Sequence, residues 1–170
     1  MSTETTNKKP NKSRRIVFAV LGVLIVAAAI AVGFLVPGYL DNQATEDARV
    51  AAPEAAARQA EAMLGYQFDT VEAELPKAAD GLTGDFKDEY AQLINEVIIP
   101  GAKEKQLTVK VSVQAKGVVN ASPDDVTVLL FVNQVTTGKD TPQAVASGSR
   151  IRMNMHKEDG VWLTSELTPL

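Results

Sequence analysis

The chain contains no cysteine, one histidine, one tryptophan and few aromatics of any kind, 5% of 170 residues. Without cysteine there is no disulfide framework, no thiolate metal site, no cysteine nucleophile and no cysteine to carry a lipid. A lone histidine, His156, has no second imidazole with which to share a metal, and it stands among Arg150, Arg152 and Asn154 on the polar side of an alternating stretch. The plain reading of such a position is a solvated strand face rather than a catalytic base. Glycines are scattered singly, so no phosphate-cradling loop is present. Carboxylates do not gather at ligand spacing: Asp85, Asp88 and Glu89 fall on the wet side of a helical pattern that buries Phe86 and Tyr90. Asp124-Asp125 follows Ser122-Pro123 as in an ordinary turn. No metal, cofactor or catalytic residue is therefore expected, and the chain reads as a non-enzyme.

One long apolar run is present. Residues 16–36, IVFAVLGVLIVAAAIAVGFLV, are uninterrupted, and 21 helical residues reach roughly 31 Å, the thickness of a hydrocarbon core. The pattern predicts a transmembrane helix ended by Pro37-Gly38. A cleaved secretory signal would have a shorter apolar core of about 7 to 15 residues and a small-x-small exit. Before the run lie Lys8, Lys9, Lys12, Arg14 and Arg15; after it come Asp41, Glu46 and Asp47, an asymmetry that predicts a cytoplasmic N-terminus and a single-pass protein of the cell membrane. The same five cations suit anionic lipid head groups. Residues 37–170 carry 12 cations and 20 anions, so the extracytoplasmic part is acidic and unsuited to nucleic acid.

The expected organisation is a disordered basic tail over 1–15, the span over 16–36, an alanine-rich helical linker over 37–64 that carries Pro53, and an α+β domain over 65–170. Within the domain, Val71, Leu75, Ala78 and Leu82 repeat at helical spacing, with Asp69 and Glu72 near the helix start. Phe86, Tyr90, Leu93, Ile94 and Val97 predict a second helix, begun at Thr83 and ended by Pro100-Gly101. Beyond residue 105 the period becomes two. Leu107, Val109, Val111 and Val113 alternate with polar residues, and Val126–Val132 is apolar on both faces, as in a central strand. Ile151, Met153 and Met155 alternate with polar neighbours, and Asp159-Gly160 predicts a hairpin turn before Val161-Trp162-Leu163-Thr164. Helices first and at least four antiparallel strands afterwards predict helices covering one face of a curved sheet.

Four stretches carry a family likeness: Leu64-Gly65-Tyr66, Leu82-Thr83-Gly84-Asp85-Phe86-Lys87-Asp88-Glu89-Tyr90, Val128-Leu129-Leu130-Phe131-Val132-Asn133-Gln134, and Gly160-Val161-Trp162-Leu163-Thr164-Ser165-Glu166-Leu167-Thr168-Pro169. In this order behind a basic tail and one span, they resemble the Mce-associated membrane proteins of actinobacteria. The resemblance implies a nuclear-transport-factor-two-like cone and a non-catalytic accessory role in stabilising or assembling Mce complexes, which import lipids across the envelope. It also implies Mce subunits and the bilayer as partners. Two other functions are compatible with the same residues. A lipid-binding module would line an apolar pocket with Phe86, Tyr90, Leu130, Met153, Met155 and Trp162, which any core of this size also needs. A bitopic scaffold of a secretion machine would share the layout of tail, span and cone. An enzyme of the cone type would require an acid on an apolar face, and the strand patterns show none.

Overall fold

Alanines at four-residue spacing begin the fold. Ala48, Ala52, Ala56 and Ala60 fall on one stripe of helix α1 (residues 41–64) and, with Met63, are at most 5% exposed, while Val50 on the other side is 72% exposed. The computed structural model describes residues 41–170; the tail 1–15, the apolar run 16–36 and the cations Lys8, Lys9, Lys12, Arg14 and Arg15 lie outside them. Among the described residues no helix is long and apolar enough to cross a membrane. Asn42–Leu170 forms a single unit. From residue 42 on, the segment expected as a linker is part of the domain: its alanine stripe belongs to the same hydrophobic core as the sheet, because a side chain of one methyl lets a helix backbone approach closely. Pro53 is buried inside one continuous helix rather than separating two.

The next helices follow the predicted apolar spacing and then depart from it. Helix α2 (Val71–Ala78) buries Val71, Leu75 and Ala78, continues as a 3-10 turn over Ala79–Gly81, and is followed by the buried Leu82. Helix α3 (Gly84–Leu93) starts after Thr83, whose backbone is extended as in a cap, but the Thr83 hydroxyl donates to the Glu158 carboxylate instead of capping. Pro100-Gly101 does not end this helix. A π-helical stretch over Ile94–Ile98 leads directly into α4 (Ile99–Lys105), so Pro100 falls in a first turn where its missing N–H is not required. The wider π turn also shifts the phase. Tyr90 and Ile94 are buried as predicted, but burial resumes five residues later at Ile99, leaving Val97 57% exposed, and Leu93, before the turn, is 49% exposed. The helix ends at Gln106, in the left-handed conformation at φ 50°.

Four strands meander in the order β1-β2-β3-β4, all antiparallel: β1 (Thr108–Ala121), β2 (Asp125–Gly138), β3 (Thr141–Glu158) and β4 (Val161–Pro169). Asp159 and Gly160, at φ 49° and 82°, make the predicted tight turn between β3 and β4. The architecture is α+β with helices on one sheet face. On that face lie Val126, Val128, Leu130 and Val132 of β2 and Ile151, Met153 and Met155 of β3, all 3% exposed or less. The opposite face of β2 is open, with Phe131 43% exposed; the strand is central by pairing but buried on one side only. β1 is longer than its alternation indicated, with register shifts at Val113/Ala115 and Val118/Asn120. β3 begins ten residues before Ile151, and β4 pairs only with Ile151–Glu158.

Both lateral edges of the sheet are tied to the helical layer. On the β1 side, Tyr66 and Val109 exchange two backbone hydrogen bonds of 2.9 and 2.8 Å, and the Val113 N–H donates to Glu61 Oε1 at 3.0 Å. Lys116 Nζ meets Glu54 Oε2 at 2.6 Å across the same junction. On the β4 side, Leu82 bridges Thr164, and the Thr83 N–H donates to the Thr164 carbonyl at 3.0 Å. Gln59 Nε2 holds α1 to α2 through the Ala78 carbonyl at 2.6 Å.

Candidate functional site

Between the end of α1, α3 with its π stretch and the concave sheet face lies a pocket of about 500 Å³. Met63, Leu64 and Tyr66 form one wall, Phe86, Tyr90, Leu93, Ile94 and Ile98 the second, and Val109, Leu167 and Pro169 the floor; Glu89 stands at its border. The pocket exists because β2 changes character along one face. Val126, Val128, Leu130 and Val132 fill the core, and the next two residues of that parity, Gln134 and Thr136, are polar and line the pocket. Neither side chain hydrogen-bonds to another described residue. An apolar cavity with a polar pair at one wall suits a ligand that is mostly hydrocarbon with a hydrogen-bonding group.

Tyr90 fixes the back of this pocket. Its hydroxyl donates to the Met63 carbonyl at 3.1 Å, closing the orphan end of α1. Burial pushes its pKa up to about 12, so it stays a neutral donor. Tyr66 is raised by burial as well.

Of the six residues expected in a core or pocket, Phe86 and Tyr90 line this pocket. Leu130, Met153 and Met155 lie in the core, fully buried, and Trp162 is half-buried near the β3–β4 turn with Lys157 Nζ 5.7 Å from its ring centre. The sequence reading missed Gln134 and Thr136. Their signal is a run of alternate apolar residues that turns polar without leaving the strand.

His156 stands opposite Asp125 on β2, with Nδ1 2.6 Å from Asp125 Oδ1. That hydrogen bond raises the His156 pKa above its ordinary 6.5, with the charges of Asp125, Glu158 and Asp124 adding to it and desolvation opposing. It is an exposed cross-strand pair, away from the pocket. Among the described residues no group of histidine and carboxylate side chains is arranged to hold a metal.

Helices over one face of a four-stranded antiparallel meander, with a pocket between the layers, give a fold similar to that of solved VirB8-type domains. The periplasmic domain of DotI superposes with a TM-score of 0.59 at 14% identity, over 71% of this chain and 93% of that one. An IcmL-like type IV secretion system protein from Legionella pneumophila gives 0.58 at 12% identity, covering 69% and 90%. VirB8 of Agrobacterium tumefaciens gives 0.56 at 10% identity, covering 69% and 88%. These likenesses are of fold. No family model matches the chain. In sequence it is 40% identical over 162 residues to outer membrane protein Rv1973 of Mycobacterium tuberculosis, covering 93% of this chain and 98% of that one. It is 32% identical over 180 residues to uncharacterized protein Rv1362c of the same organism, covering 99% and 82%. The chain belongs to the family of Rv1973.

Proposed function

We propose that this protein is a non-catalytic, membrane-anchored accessory subunit that stabilises or assembles an Mce lipid-import complex. Its single span would be residues 16–36, its N-terminus cytoplasmic and its cone extracytoplasmic. The observation that carries the reading is the full-length likeness to a relative named as an outer membrane protein, on a chain whose apolar run immediately precedes a cone. Residues resembling the Mce-associated proteins supply the choice of complex. Tethering raises the effective concentration of the cone at the membrane, so a modest interface with Mce subunits would suffice. The test is purification of the tagged full-length protein from its native membrane in mild detergent, with mass spectrometry of what accompanies it. Stoichiometric Mce subunits and their permease are expected. Secretion components in their place would transfer the protein to a scaffold role, which the type IV secretion folds favour.

A second reading rests on the pocket. Its apolar walls and unpartnered Gln134 and Thr136 favour an amphipathic lipid with a single hydrocarbon chain. Native mass spectrometry of the same preparation tests it: one lipid per protein supports the module, and delipidated protein with its partners still attached excludes it.

A further inference from the structure

We propose that the pocket on the concave face takes an uncharged lipid with hydroxyl and ester groups in its head, a monoacylglycerol in class, and turns away single-chain lipids with a carboxylate or phosphate head. The proposal rests on the lipid-binding reading and adds to it the chemistry of the head.

The register of the sheet sets two rows of side chains across the polar wall of the pocket. Tyr66 bridges Val109, Val109 pairs with Thr136, and Thr136 pairs with Val145. Two residues along each strand, Val111 pairs with Gln134, and Gln134 with Ser147. Residues paired in register share a face, so both rows lie on the concave side. Tyr66, Val109, Gln134 and Thr136 line the pocket, whereas Val145 and Ser147 are exposed beside it. The polar wall thus runs out from under the helices onto open sheet, which gives a head group a place between the cavity and water.

Four hydrogen-bonding side chains stand in these rows: the hydroxyls of Tyr66, Thr136 and Ser147 and the carboxamide of Gln134. Among the described residues none of the four side chains has a hydrogen-bond partner. Burial holds the Tyr66 phenol above its ordinary pKa, so it stays a neutral donor. Hydroxyls and a carboxamide both donate and accept, which matches the hydroxyl and ester oxygens of a glycerol monoester.

No cation joins them. Lys110 pairs with Val135 and Arg150 with Phe131, so both have the parity of the opposite sheet face, and Lys139 stands in the turn after β2. Among the described residues the one charged side chain that lines the pocket is Glu89, itself an anion. A carboxylate or phosphate head would give up water at a wall that offers no countercharge, a cost that hydroxyl and ester groups do not meet.

The test uses full-length protein in nanodiscs of zwitterionic phospholipid at mildly alkaline pH. Three probes of one chain length carry a diazirine near the methyl end: a monoacylglycerol, the corresponding fatty acid and the corresponding lysophosphatidate. After irradiation, adducts on the peptide spanning residues 86–98 are counted by mass spectrometry against the amount of each probe in the disc. The monoacylglycerol is expected to label that peptide at least roughly ten-fold more than either anion. Gln134→Leu is expected to abolish the preference, and Gln134→Lys, which supplies the missing cation, to reverse it. Trp162 emission verifies that each variant is folded. Equal or stronger labelling by either anion, or an unchanged preference in folded Gln134→Lys, overturns the proposal and leaves the lipid-binding reading standing. If none of the three labels the pocket, both fall.

Discussion

At the residue scale, three side chains have measurable assignments. Tyr90 donates to the Met63 carbonyl from a largely buried position, so Tyr90→Phe removes one hydrogen bond and leaves a carbonyl facing the pocket. A loss of about 1 kcal/mol is expected, read from the urea midpoint of the full-length protein by Trp162 fluorescence. Leu130→Ala, at a position with no exposure, is expected to remove about 2–5 kcal/mol in the same assay. His156 gives a pH dependence of opposite sense to that of a paired carboxylate. Its pKa is higher folded than unfolded, so the stabilisation by Asp125 is complete below 6.5 and is lost as pH rises through the raised value. An NMR titration of the His156 ring is expected to show the upward shift, and Asp125→Asn to diminish it.

At the scale of elements, α1 and the π stretch decide how the helices meet the sheet. Ala56 has no exposure on the stripe that packs into the core, so Ala56→Leu is expected to destabilise by about 1–3 kcal/mol through overpacking, whereas Val50→Leu is expected to be near neutral. A thermal melt of the two variants distinguishes a packed helix from a linker. The reason α1 reads as a linker in sequence is physical: alanine is common to exposed helices and to close-packed ones, and composition cannot separate them. Phase was legible through Tyr90 and Ile94, where apolar residues recur every four. It was lost at Val97, because a π turn over Ile94–Ile98 inserts one residue into the period and leaves no mark in the side-chain types, while Leu93, before that turn, faces the pocket. The meander was legible from the core residues of β2, from Ile151, Met153 and Met155, and from the Asp159-Gly160 turn. The first half of β3 was not, since Gln143–Ser149 is small and neutral with neither face buried. Half of the pocket follows from the helical spacing of Phe86 and Tyr90; the other half requires knowing that Gln134 and Thr136 stay in register with Leu130.

For the whole molecule, the accessory and lipid-binding readings part at the pocket. Thr136→Trp would fill it from the sheet side without changing the outer surface. If the protein acts by docking, the partners recovered from native membranes are expected to be unchanged; if it carries a lipid, the bound lipid is expected to disappear. One preparation, compared for co-purifying proteins and lipids, measures both. Fold alone leaves this choice open because likenesses at 10–14% identity show a shared framework and not what lines it.

The alanine stripe of α1 also bears on the order in which the chain is made. Glu61 and the Val113 N–H that donates to it are separated by 52 residues, so when α1 leaves the ribosome the strand that it will cover has yet to be synthesised. At about 5–20 residues per second the wait is roughly 3–10 s. A helix with leucines at those positions would spend that interval presenting a sticky face to chaperones and to its neighbours. Methyl groups present little, and the closeness with which they pack is felt only after the sheet has arrived.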